Sequence, residues 1–128
     1  MRRLNWKNER GAVAVEFALV FPILILVLVG IIEYGAVFNA QLEVTGSARE
    51  AARSMALTSN TGTATSAALA ASPALVPALK SSDIAYSAGS CPTGSDVTVT
   101  ITYNHPYLTG MFGATIQLTG VATRRCGG

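Results

Sequence analysis

Residues 12–32 read AVAVEFALVFPILILVLVGII, an apolar run interrupted by one charge, Glu16, and one proline, Pro22. At about 1.5 Å of rise per residue, a helix of this length reaches about 30 Å, the thickness of a bilayer's hydrocarbon core. Pro22 would break a helix in water, but within lipid a kink is tolerated where neighbouring groups re-satisfy the freed carbonyl. The preceding MRRLNWKNER sets four basic residues against Glu9, a net charge of +3, and Glu33 follows the run directly. That asymmetry predicts a cytoplasmic N-terminus and an exported C-terminal part.

Composition points the same way. Half of the 128 residues are hydrophobic, 12% are charged and the mean hydropathy is +0.42. Ordinary soluble domains carry roughly 25% charged residues, so this chain reads as membrane-anchored. From Gly11 onward five basic side chains stand against six acidic ones, which leaves no broad basic face for nucleic acid. One histidine and two distant cysteines give no metal cluster, and Ser, His and Asp show no catalytic spacing. Gly110 and Gly113 do not follow a strand into a helix and form no phosphate loop. The expectation is a protein that is not an enzyme and takes no cofactor.

Three readings compete for the apolar run. A secretory signal has a shorter core, roughly 7–15 residues, and small residues at its cut site; Glu33 and Tyr34 are too bulky for that. An uncleaved anchor explains everything except Glu16. A carboxylate inside an apolar helix costs on the order of 2.5–3.5 kcal/mol and is by default a functional clue, although Glu16 lies close enough to the interface to snorkel.

The string Arg10-Gly11-Ala12-Val13-Ala14-Val15-Glu16-Phe17 resembles the prepilin-peptidase site of type IVb pilins. The resemblance implies cleavage between Gly11 and Ala12, with removal of residues 1–11. Glu16 then takes the place of the family's fifth-position glutamate and Phe17 that of its motif aromatic. Cutting creates an α-ammonium at Ala12, four residues and about 6 Å from Glu16. Within lipid, a neighbouring subunit's amine and this acid attract far more strongly than in water. The sequence continues with Gly30-Ile31-Ile32-Glu33-Tyr34-Gly35, Phe38-Asn39-Ala40-Gln41-Leu42 and Ala48-Arg49-Glu50-Ala51-Ala52-Arg53. That combination resembles the TadE-like family of the tight-adherence (Tad) pilus system, densely from Arg10 to about Ala56. Phe17 stands where the major pilins usually have Tyr, and the chain is longer than that system's major pilin. The resemblance therefore implies a minor pilin or pseudopilin. Its expected partners are membrane lipid, the prepilin peptidase, the major pilin, other TadE-like subunits, and the inner-membrane platform with its secretion ATPase acting indirectly. Surface adhesion, biofilm formation, secretion or DNA uptake are the outcomes such systems serve. The alternative is a permanent single-span envelope protein with a small exported binding domain.

Beyond the membrane, Tyr34, Phe38, Gln41 or Leu42, Thr45, Ala48, Ala52 and Met55 recur at spacings of three and four, an amphipathic helix. Glu33, Glu43 and Glu50 fall mostly off that stripe, and Thr58 to Gly62 is the first firm stop. One helix from about Ala12 to Leu57 would be roughly 70 Å long. Its outer half reads equally as the core helix of a small domain. Ala64–Ala71 suggests a short second helix ending before Pro73, with a low-complexity linker as the alternative.

Residues 96–103, DVTVTITY, alternate strictly and predict a half-buried strand. A second strand is expected over about Ala114 to Arg124, with Gly120 marking a bulge, and a third over Asp83 to Ser87. The expected fold is α+β and pilin-like, a long N-terminal helix packed against a small antiparallel sheet. The segments are a basic leader (1–11), a transmembrane helix (12–33), its continuation (34–58), an Ala/Pro-rich connection (59–82) and the sheet (83–128). If Tyr103 faces Ala114 across a hairpin, paired numbers sum to about 217, and Cys91 and Cys126 fall roughly opposite each other. An intramolecular disulfide on the exported side is expected, against free thiols or an intermolecular bridge. His105 precedes Pro106 in a turn-like stretch and reads as structural. Met111-Phe112 at the hairpin tip reads either as an exposed contact or as tucked under the sheet.

Overall fold

The computed structural model describes residues 6–127, with side chains from Glu9 onward. The fold is α+β. Helix α1 runs Trp6–Thr58 and helix α2 Thr61–Ala70; after a 3-10 turn at Ser81–Asp83 come strands β1 (Ile84–Tyr86), β2 (Asp96–Pro106) and β3 (Thr115–Arg125). The strands form one antiparallel sheet in the order β1-β2-β3.

The chain divides into two units, one ending at Tyr34 and one beginning at Gly35. In the first unit α1 starts at Trp6 and not at Ala12. Trp, Lys, Glu and Arg in the leader all tolerate helix, and Glu9 in the first turn complements the helix dipole. Gly11 alone opposes it, by about 1 kcal/mol relative to Ala.

The second unit is built on α1 from Gly35 to Thr58. The buried face carries Ala40, Val44, Ser47, Ala48, Ala51, Ala52, Met55 and Ala56, with Val37 packed beside them. This corrects the phase expected from the larger side chains. Ala48, Ala52 and Met55 are buried, but Tyr34, Phe38 and Leu42 are exposed. Glu33, in the first unit and expected mostly off the stripe, is buried. Small side chains win the inner face because they let helix and sheet approach closely. Gly120 shows how closely: a Cβ there would meet the Val44 carbonyl oxygen at 2.7 Å. Its pairing with Ile101 continues the ladder without a break, so Gly120 is a contact glycine and not a bulge.

Helix α1 ends with Ser59 in the left-handed region at φ 52°, the conformation that closes many helices. The Ser59 hydroxyl then accepts a 2.7 Å hydrogen bond from the Cys91 backbone N–H. Helix α2 begins at Thr61, earlier than Ala64, because Asn60 caps it by accepting from Thr63 N–H at 3.0 Å. Ala64 and Ala68 face inward, and a 2.8 Å bond between Thr65 Oγ1 and Tyr86 Oη ties α2 to β1.

The alternation read over 96–103 holds, with Val97, Val99, Ile101 and Tyr103 all buried. Strand β2 extends three residues further, to Pro106. The register differs from the expected one. Tyr103 pairs with Leu118, not Ala114, and Asp96 with Arg125. The hairpin closes with Tyr107 N–H donating to Ala114 O at 3.2 Å, so the loop is shorter than the expected Asn104–Gly113 connection. Met111 and Phe112 at its tip are exposed.

Cys91 and Cys126 are joined, with Cα atoms 5.4 Å apart and 35 residues of separation. The hairpin register does not bring them together. Ser95 accepts from Cys126 N–H at 2.8 Å, and a turn at Pro92–Ser95 carries Cys91 back to the same place. Gly127 N–H donates to Ala56 O at 3.1 Å, fastening the C-terminal end to α1.

Candidate processing and assembly segment

The first unit places Gly11, Ala12, Glu16 and Phe17 in consecutive turns of α1, all exposed. Among the described residues nothing lies within 4 Å of where a Gly11 Cβ would stand. Phe17 packs one turn down on Phe21, with ring centroids 5.4 Å apart. The large apolar side chains from Val13 to Ile32 are exposed almost without exception. The most apolar window of the helix reaches a mean hydropathy of 2.9, long and apolar enough to cross a membrane.

Glu16 is the one ionisable side chain between Gly11 and Ile32. Helical geometry puts it about 6 Å along the axis from Ala12, on an otherwise apolar surface. Pro22 within α1 lacks an N–H, so the Ala18 carbonyl is left without its helical donor.

The second unit assembles a group that the sequence did not bring together. Asn39 and Glu43 on α1, His105 near the end of β2, and the connection around Leu75 and Val76 line a cavity of about 600 Å³. His105 lies within the strand and not in a turn. Glu43 Oε2 and both His105 ring nitrogens are buried without a hydrogen-bond partner among the described residues. Nearby, the Tyr103 hydroxyl donates to Pro77 O at 2.6 Å. Burial raises the Tyr103 pKa above its usual value, helped by the carboxylates of Asp83 and Glu43. Among the described residues no three His, Cys, Asp or Glu side chains converge as a metal site. Only the fold places Glu43 beside His105; sixty-two positions of sequence separate them.

No curated protein and no solved structure matches the chain. A family model does, over part of helix α1. Residues 11–53, about a third of the chain, are similar to the family described as TadE-like protein.

Proposed function

We propose that the chain is a minor pilin or pseudopilin of a Tad-type (type IVb) pilus, made as a membrane precursor and trimmed by a prepilin peptidase after Gly11. The observation that carries this reading is the single carboxylate of Glu16 on a fully exposed apolar helix, inside a TadE-like match that opens at Gly11. A permanent anchor gains nothing from that acid. A subunit whose new α-ammonium at Ala12 meets a neighbour's Glu16 in lipid gains a contact that forms only in the assembled register. The Gly11 peptide suits cleavage, because glycine is the residue of this helix most easily unwound into a protease. In this reading the N-terminus is cytoplasmic and the second unit is exported. The protein acts as a structural subunit, in contact with the major pilin, sibling TadE-like subunits and the inner-membrane platform. It serves pilus assembly and, through it, adhesion or secretion.

The test is the intact mass of the protein from cells with and without the prepilin peptidase. Loss of residues 1–11 only where the enzyme is present supports the reading. An untrimmed chain in cells with active peptidase makes the protein a single-span anchor instead.

A further inference from the structure

Within the second unit the helix meets the rest of the chain at successive heights. Gly127 N–H donates to Ala56 O, Gly120 stands against Val44, and His105 and Leu108 line one cavity with Ala36, Asn39 and Ala40. The β2–β3 hairpin therefore runs back along the helix, and its loop lies at the Gly35 end of the unit. From Gly120 to Thr115 the strand covers about 17 Å, while from Val44 back to Gly35 the helix covers about 13 Å. The strands reach as far as this stretch of helix does, and the loop projects from that end.

The loop, residues 107–114, reads YLTGMFGA. Leu108, Met111 and Phe112 are 64%, 57% and 54% exposed. Gly110 and Gly113 hold φ of 71° and 116°, backbone that glycine adopts without strain, so the turn that turns Met111 and Phe112 outward is written into the chain. The Phe112 ring leans on Tyr107, with centroids 6.2 Å apart. Between Asp96 and Arg124 the sequence has no Asp, Glu, Lys or Arg. The charges of the hairpin stand at its other end, where Asp96 pairs with Arg125 and both arginines lie near Ala56. An apolar, uncharged tip opposite a charged base is polarised as a surface that enters lipid is, because no charge has to leave water.

Chain length sets the distance to the bilayer. Three residues take the chain from Ile32, the last of the apolar run, to Gly35, at most about 10 Å even when extended. The headgroup layer beyond the hydrocarbon is itself about 5–7 Å deep. Aromatic rings such as Tyr107 and Phe112 suit that layer, where apolar bodies and polar groups meet.

We infer that the Leu108–Met111–Phe112 tip dips into the lipid headgroup layer on the exported side, a second membrane contact beside the span. The inference rests on the membrane span and exported second unit of the reading above, and not on trimming. A tip on one side of the helix fixes which way the second unit leans on the bilayer, which a single span leaves free.

The test uses the full-length chain in phosphatidylcholine vesicles. Trp6→Phe removes the native indole, and Phe112→Trp reports from the tip. The expected result is blue-shifted emission, with severalfold stronger quenching by lipid brominated near the headgroup than by lipid brominated at the chain ends, and weak quenching by aqueous iodide. Val121→Trp, on β3 beside Gly120 and 56% exposed, should be quenched by iodide and not by brominated lipid. Adding Met111→Asp to the Phe112→Trp chain should cut its lipid quenching severalfold, and formation of the Cys91–Cys126 bridge shows that each variant has folded. A Phe112→Trp indole as open to iodide as that of Val121→Trp overturns the inference. So does one shielded from both quenchers, which is the mark of a tip covered by protein. Leu26→Trp, within the span, separates the two readings. Lipid quenching there but not at the tip removes this contact alone, whereas lipid quenching at neither removes the membrane span.

Discussion

Gly120 on β3 and Val44 on α1 meet backbone to backbone: a Cβ built on Gly120 would stand 2.7 Å from the Val44 carbonyl oxygen and 3.0 Å from its carbonyl carbon. Neither atom is the end of a flexible side chain, so nothing can swing aside. The helix would have to lift from the sheet at its best-packed point. Gly120→Ala is expected to cost about 1–3 kcal/mol, the usual range for overpacking a tight core. Denaturant unfolding of the detergent-solubilised chain, followed by Tyr103 and Tyr86 fluorescence, checks it. An unchanged midpoint would show that the helix can move off the sheet at Val44 without loss of packing.

The Cys91–Cys126 bridge closes a loop spanning 35 residues, and its removal is expected to cost about 3–4 kcal/mol on loop entropy. The same bridge holds Gly127 against Ala56 O, so the C-terminal end should open first. Cys91→Ser/Cys126→Ser, or reduction of the native chain, should expose the Arg124–Arg125 segment to trypsin well before β2 unfolds. Equal protease resistance with and without reductant would refute that order.

Tyr103 sets an alkaline limit. Its folded pKa is raised, by burial first and then by the Asp83 and Glu43 carboxylates. Above the unfolded value near 10 the unfolded chain sheds the phenolic proton before the folded one does. Stability is therefore full below about pH 10 and is lost as pH rises toward the folded pKa. Tyr103→Phe should cost about 1 kcal/mol at neutral pH, through the lost bond to Pro77 O. It should also flatten the decline above pH 10. Thermal unfolding at pH 7, 9, 10 and 11 separates the two effects, and parallel declines in wild type and variant would contradict the linkage.

How much of this could be read from the chain follows from which forces are local. Strict alternation marks Val97, Val99 and Ile101 as inward-facing, because the pleat fixes side-chain direction residue by residue. The register across the hairpin is not local. It depends on the Tyr107–Ala114 closure, and an assumed ten-residue connection shifts every pair by four. The cysteine pairing emerges despite that shift, since the Pro92–Ser95 turn moves Cys91 by the same amount. The helix phase misleads for a chemical reason. Tyr34, Phe38 and Leu42 draw a reading inward by their size, while the contact with Gly120 favours the short side chains of Ala40, Ala48, Ala51 and Ala52. The reading of Gly11 to Phe17 needs no fold, because its signal is sequential, and the peptidase and filament tests decide it. The Glu43–His105 cavity is not, because a helix and a strand end must first be packed together.

Glu16 separates trimming from assembly. Under the proposed function the peptidase reads the Gly11–Ala12 bond, while the acid acts later, on a neighbour's α-ammonium. Opposite charges about 4 Å apart attract by roughly 4 kcal/mol at an effective dielectric near 20, and lipid withholds the water that would otherwise replace the pairing. Glu16→Ala should therefore leave trimming largely intact and reduce the amount of protein in sheared filaments at least tenfold. Glu16→Gln keeps the shape and removes the charge, so it should behave like Ala if charge is the cause, and like wild type if the side chain merely packs. Mass measurement of the membrane fraction reports trimming, and immunoblotting of the sheared fraction reports incorporation. Normal incorporation of both variants would refute the charge pair, because an unpartnered ammonium held in lipid by the remaining contacts would then be costing the filament nothing.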